Sequence, residues 1–249
     1  MSAIYDELGK GYATVRREDP AIAARIDASL GDAASVLNVG AGAGSYEPAG
    51  REVVAVEPSA EMISQRPPGA APAIQASAET LPFEDDRFDA AMAVLTIHHW
   101  YDLDAGLDEM RRVARRRIVL VTFDPEPLRS LWFVRDYFPA IVGLHAERLG
   151  SEAIGAKLPD ASARPLPVPR DCRDLFFAAL WARPELALVP EVVRPMWVIQ
   201  RLPEALRREG LARLAADLES GAWDSRNGHL RRLEELDVGL RLVVSELPR

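Results

Sequence analysis

Short apolar runs alternate with stretches of helical period along the first half of this chain. Val36-Leu37-Asn38-Val39, Val53-Val54-Ala55-Val56, Ala73-Ile74-Gln75, Phe88 to Leu95 and Ile118-Val119-Leu120-Val121 form one such series. Their brevity, and the glycines after the first of them, favour strands over buried helix. Between the last two runs, Leu103, Leu107, Met110 and Val113 recur at helical intervals. Ahead of the first, Ile22, Ile26 and Leu30 do the same within a helix-like stretch from Ala3. Pro20 divides that stretch into two helical segments. Apolar strands alternating with helices predict a parallel sheet covered on both faces.

The pattern changes after Asp124. Pro165, Pro167 and Pro169 alternate with Leu166 and Val168, as in an edge strand or an extended crossing. From Asp171 to about Leu236 the pattern is helical, broken by prolines and rich in aromatics, including Phe176, Phe177, Trp181, Trp197 and Trp223. Gly239-Leu240-Arg241-Leu242-Val243-Val244 then alternates and turns apolar, predicting a last strand. The expected organisation is a core over residues 1–170 with an N-terminal helical cap, a helical insertion over 171–236, and a strand within 237–249 that returns to the sheet. The three tryptophans are expected either in the core or on the inner side of a lid.

Composition narrows the partners. The 249 residues are 48% hydrophobic and 27% charged, a globular mixture able to bury a sizeable core. A formal charge of −8 argues against nucleic acid and against an anionic membrane surface. The basic run Arg111 to Arg117 is expected at a helix C-terminus, where cations complement the dipole. One cysteine, Cys172, excludes an intramolecular disulfide and fits a reducing cytosol; it is expected as a buried small residue. The N-terminal residues show no signal-peptide core, and no apolar run approaches the roughly 20 residues that span a bilayer. The expectation is a cytoplasmic protein, monomer or homodimer, with no membrane partner. Only Lys10 and Lys157 are lysines, and alanine is abundant, which suggests a GC-rich bacterial coding sequence.

The chemistry concentrates at two strand ends. The first strand runs into Gly40-Ala41-Gly42-Ala43-Gly44, where missing β-carbons let backbone approach a ligand. The second ends in Glu57, whose carboxylate can accept from both hydroxyls of a ribose. The lesser alternative is that Glu57 caps a helix starting near Ser59. A nicotinamide dinucleotide fingerprint needs a third glycine where Ser45 stands, which counts against that ligand.

These segments, followed by Ala78-Glu79-Thr80-Leu81-Pro82-Phe83, Phe88-Asp89 and His98-His99-Trp100, resemble in order the motifs of class I S-adenosylmethionine methyltransferases. The resemblance is nearest to the small-molecule enzymes that include the ubiquinone and menaquinone methylases, and it covers roughly residues 1–124. It implies an α/β, Rossmann-like, mostly parallel seven-stranded sheet with helices on both faces, the C-terminal helical insertion acting as a substrate lid. It implies that Gly40, Ala41, Gly42 and Gly44 face the methionine part of S-adenosyl-L-methionine, and Glu57 its ribose. Pro58 and Met62 would flank the adenine, Ser77, Ala78 and Glu79 would lie by its edge, and Leu95 below the sulfur. Tyr12 and Arg16 would close over the cofactor, with Arg16 either pairing its carboxylate or standing as a solvated helix charge. Asn38 would help hold the ammonium through the loop, without the charge of the family's usual acid there. Ser77 replaces a common aspartate. With only eight residues between Gly44 and Val53, the first crossover helix is expected to be stunted to about one turn.

There are four histidines, His98, His99, His145 and His229. His98 and His99 follow the fourth strand, where an acceptor would meet the cofactor, and an imidazole suits proton removal near neutrality. Either is a candidate general base, His99 ahead of His98, or the pair only shapes the pocket. No metal site is expected. Trp100 and Tyr101 either present aromatic faces to the ligands or pack. The expected activity is methyl transfer to a small-molecule metabolite or natural product. The alternatives are an NAD-dependent oxidoreductase and a non-catalytic S-adenosylmethionine-binding protein.

Overall fold

The computed structural model describes Gly9, residues 11–144 and residues 150–248. His145 and the start of the N-terminal helical stretch lie outside the described residues. Five parallel strands, β1 (Ser35–Val39), β2 (Glu52–Val56), β3 (Ala73–Ile74), β4 (Phe88–Val94) and β5 (Ala114–Phe123), form most of one sheet. The edge strand β6 (Ala161–Pro165), the short β7 (Val168–Pro169) and β8 (Glu235–Leu236), and β9 (Leu240–Glu246) follow. The seven-stranded order is β3-β2-β1-β4-β5-β9-β6, while β7 and β8 pair apart from it. β9 runs antiparallel to both β5 and β6, so the last strand does return to the sheet. Pro165 sits at the end of the outermost strand, where a missing N–H removes no ladder bond from a central position.

Register explains the two cores. Val36 pairs with Ala90, and Met92 with Val119, on one face; Leu37 pairs with Ala91, and Ala91 with Ile118, on the other. All are fully buried, which is why these strands read as unbroken apolar runs rather than alternating ones. On the second face the helix Leu103–Val113 buries Leu103, Leu107, Met110 and Val113, the stripe expected from their spacing. It starts at Asp102, whose carboxylate caps the Asp104 and Ala105 N–H groups. On the first face the helix Pro20–Ser29 packs Ile22 and Ile26, with Asp19 as its cap.

The rest of that first face is covered by the long excursion from the sheet. Trp132, Trp181 and Trp223 are buried there with Phe133 and Phe138, in the same cluster as Val36 and Val121. The Trp132 indole N–H donates to the Trp181 carbonyl at 2.8 Å, and the Trp181 N–H donates to the Val168 carbonyl at 3.1 Å. The covering layer also includes the helix Pro125–Ser130 and the turns Phe133–Tyr137 and Pro139–Leu144. Most of it is short 3-10 or one-turn helix, and Glu204–Glu219 is its long element. Of the insertion's Trp181, Trp197 and Trp223, the first and last are therefore core, and Trp197 is only partly buried.

Two local expectations change. Residues 40–51 contain turns and no helix, because a dozen residues that include Pro48 and Gly50 cannot cross to β2 and also wind a turn. The arginine run is only half helical. Arg111 and Arg112 end the helix, whereas Arg115, Arg116 and Arg117 begin β5 and pair with Asp89, Asp32 and Glu246. Cys172 is buried as expected, and its thiol is pushed up to about 12, first by burial and then by the nearby Asp19 and Asp174 carboxylates.

Candidate active site

β1 lies between β2 and β4, so the chain's direction of winding reverses there. An open α/β sheet leaves a crevice beyond its carboxyl ends at such a switch point. Here the crevice is a cavity of about 670 Å³, within the usual size of ligand sites.

Its floor is the glycine turn. The Gly40 and Ala41 N–H groups both donate to the Val56 carbonyl, at 2.8 and 3.0 Å, folding the turn back over the end of β2. Gly40 has φ +69°, and a β-carbon on it would lie 2.1 Å from Thr96 Oγ1. Only glycine fits between these two strand ends. Gly44 is the one predicted residue that does not line the cavity: its α-carbon faces Arg66 and Ala70 on the far side of the turn.

Glu57 is 6% exposed and reaches across the crevice. Its Oε2 accepts from the Gly42 N–H at 2.8 Å, and its Oε1 from the Ser59 N–H at 2.9 Å. The cap of the helix Ala60–Ser64 is Ser59, whose hydroxyl accepts from the Met62 N–H at 3.2 Å. The two sequence readings of Glu57 thus merge: it steadies the entry to that helix while its carboxylate faces the cavity. Met62 is buried beneath Gly42, with Pro58 at the rim. Ser77, Ala78 and Glu79 form the next wall. Glu79 Oε1 accepts from the Tyr101 N–H at 2.7 Å and the Asp102 N–H at 3.3 Å, joining that wall to the loop after β4.

Asn38, buried at the end of β1, and Leu95, just beyond β4, also line the cavity. Leu95 has φ +54° and Tyr46 φ +64°. Both are non-glycine residues in a region that costs energy, and both face the cavity, as strained residues at working sites do.

The roof comes from three separated segments. Arg16 is not a solvated charge: its side chain is 13% exposed and its guanidinium pairs with Asp174, whose side chain is 2% exposed. Arg16 Nη2 lies 3.3 Å from Asp174 Oδ2, and the Tyr46 hydroxyl donates to that same oxygen at 3.0 Å. The guanidinium also sits 4.9 Å from the Tyr12 ring centroid. Burial pushes the Tyr12 and Tyr46 phenols up, so both are neutral donors at physiological pH.

His98 and His99 occupy the short turn Ile97–His99 at the far side. His98 stacks on Trp197 with ring centroids 5.2 Å apart, and His99 meets the same indole edge-on at 5.3 Å. Trp100 is packed in the second core, whereas Tyr101 stands exposed at the mouth. His229 is exposed and lies outside the cavity. Sequence reasoning missed Tyr46, Thr96, Asp174 and Arg201, and named Trp197 only as a core or lid tryptophan. Thr96 adjoins the His pair and Tyr46 follows the glycine turn, so both were within reach of a motif argument; Asp174 and Arg201 arrive from elsewhere in the chain.

The residues present fit S-adenosylmethionine. A glycine offers its bare α-carbon, a carboxylate held by two backbone amides faces the cavity where a ribose diol would lie, and Met62, Pro58 and Ala78 offer apolar surface to a purine.

Comparison with known proteins agrees. The family described as "Methyltransferase domain" matches residues 37–122. A demethylmenaquinone methyltransferase of Roseiflexus sp. is 33% identical over 108 residues, 41% of this chain and 44% of that protein. The Escherichia coli protein YafE, described as uncharacterised, is 39% identical over 62 residues, 23% of this chain and 30% of that protein. These alignments span less than half the length of either curated relative. A crystal structure of a putative methyltransferase from an antibiotic biosynthesis pathway of Anabaena variabilis superposes with a TM-score of 0.86 at 33% identity, covering 94% of this chain and 99% of that one. The chain belongs to the class I S-adenosylmethionine-dependent methyltransferases.

Proposed function

We propose that this protein transfers a methyl group from S-adenosylmethionine to a small-molecule acceptor. The observation that carries this reading is the single cavity shared by the Gly40–Glu57 floor and the His98–His99–Trp197 wall. The net charge of −8 and the origin of the Anabaena relative support a metabolite or natural product over a polymer. A cytoplasmic, bacterial setting and a monomer or homodimer belong to the same reading.

S-adenosylmethionine supplies a methyl on a positively charged sulfur: the acceptor's lone pair bonds that carbon as the carbon–sulfur pair returns to sulfur. The protein's work is then largely positioning. Glu57 and the turn hold the adenosine end, Leu95 and Thr96 bound the reacting region, and the covering layer keeps water out. Where the acceptor atom carries a proton, an imidazole nitrogen of His99 takes it, and His98, held against Trp197, forms the adjoining wall. Asn38 and the Arg16 guanidinium would meet the amino-acid end of the cofactor.

The test is calorimetry with S-adenosylhomocysteine, followed by methyl transfer to a metabolite panel. Binding together with turnover supports the proposal. Binding with no transfer across the panel would support a non-catalytic binder instead, and absence of binding would defeat both. A His99→Gln variant is expected to lower kcat by about 100-fold for a protonated acceptor, with little change in cofactor affinity.

A further inference from the structure

The two ends of the cavity differ in chemistry. Glu57 and Glu79, its lining acids, belong to the cofactor end, and both are engaged by backbone N–H groups. The other end is walled by Tyr12, His98, His99 and Trp197. Behind Trp197 lies a recess of about 40 Å³, lined by Phe123, Phe176, Phe177 and Met196 among others. Among the described residues no acid lines that recess, and none reaches the cavity from the insertion.

Arg201 also lines this end. It stands on the insertion one turn after Trp197, its N–H donating to the Trp197 carbonyl at 2.9 Å. Arg16, the other lining arginine named, is paired with Asp174 and is assigned above to the cofactor. Arg201 is exposed, and its guanidinium forms no ion pair among the described residues. A chain of net charge −8 thus presents an uncommitted guanidinium beside an aromatic wall. Flat π faces favour a planar ring, and a guanidinium reads a carboxylate through two parallel hydrogen bonds.

Resting on the methyltransferase reading above, we propose that the acceptor is a planar aromatic carboxylate, its ring against Trp197 and its charge met by Arg201. Arg201 is then a specificity-determining residue and not a cofactor ligand.

The experiment is calorimetric titration of the full chain saturated with S-adenosylhomocysteine. The probes are 1-naphthoate and indole-3-acetate, each against its neutral amide. The acids are expected to bind about fivefold tighter than the amides, the scale of a partly exposed charge pair. Arg201→Met should erase that difference while leaving S-adenosylhomocysteine affinity within about twofold. Trp197→Ala should weaken acid and amide alike. Equal binding of acids and amides to the unmodified protein, or no binding of either, overturns the proposal. So does loss of S-adenosylhomocysteine affinity in Arg201→Met, which would place the guanidinium on the cofactor. Failure of the unmodified protein to bind S-adenosylhomocysteine would be seen before any probe is added, and would instead defeat the methyltransferase reading.

Discussion

Glu57 Oε2 accepts a hydrogen bond from the Gly42 N–H at 2.8 Å, so the acid at the end of β2 holds the turn that follows β1. Its other oxygen holds the Ser59 N–H. Glutamine has one carbonyl oxygen for these two donors, so Glu57→Gln leaves one amide facing another N–H group and removes the charge offered to the ribose. A hydrogen bond to a charged group is worth about 1.5–3 kcal/mol. The variant is expected to bind S-adenosylhomocysteine about 10- to 100-fold more weakly by calorimetry.

Gly40→Ala meets two obstacles at once. Its φ of +69° costs a side-chain-bearing residue roughly 1–2 kcal/mol, and its β-carbon would lie 2.1 Å from Thr96 Oγ1. We expect a lower Tm and at least tenfold weaker S-adenosylhomocysteine binding. Adding Thr96→Ala should recover part of the loss, since it relieves the contact but not the backbone strain. Full recovery would show that strain contributes nothing.

Asp174 holds Arg16 and Tyr46 together from a site near the start of the insertion. Removing one partner of a buried pair costs about 3–5 kcal/mol, because the other charge stays buried without compensation. Asp174→Ala should therefore unfold several degrees lower. The double variant Arg16→Met, Asp174→Ala should be less destabilised than the sum of the single changes. Thermal unfolding of all four forms measures that coupling, and strict additivity would contradict it.

Asp89 ties the start of β1 to β4. Desolvation pushes its carboxyl up, but hydrogen bonds from the Ser35 and Ala34 N–H groups and the Arg115 guanidinium outweigh this and hold it down at about 2. A group whose folded value is depressed stabilises the fold fully above its ordinary value of 3.8, and that contribution disappears as pH falls through about 2. Asp89→Asn should be less stable at neutral pH and should show a shallower loss of stability between those two values. Chemical unfolding at a series of acidic pH values tests both halves.

Much of the architecture was legible because it rests on short-range chemistry. β-branched runs and the stripe from Leu103 to Val113 are written in neighbouring residues. The insertion was harder to read. Its short 3-10 turns have no sustained period, and residues 125–144 join its packing although sequence pattern had assigned them to the core. The family comparison supports the cofactor. The roles of individual side chains rest on where the cavity places them.

What the sequence by itself determined is the floor of the site: a glycine turn and an acid at adjacent strand ends, with a histidine pair after the fourth strand. These are local, since strand order and register carry each motif to the same sheet edge. Only the tertiary structure decided the roof and the far wall. Asp174 meets Arg16 across 158 positions, and Trp197 meets His98 across a shorter but still long span of chain. No period or spacing encodes such pairings. They follow from how the insertion packs its tryptophans onto the sheet, which also leaves Arg201 lining the cavity.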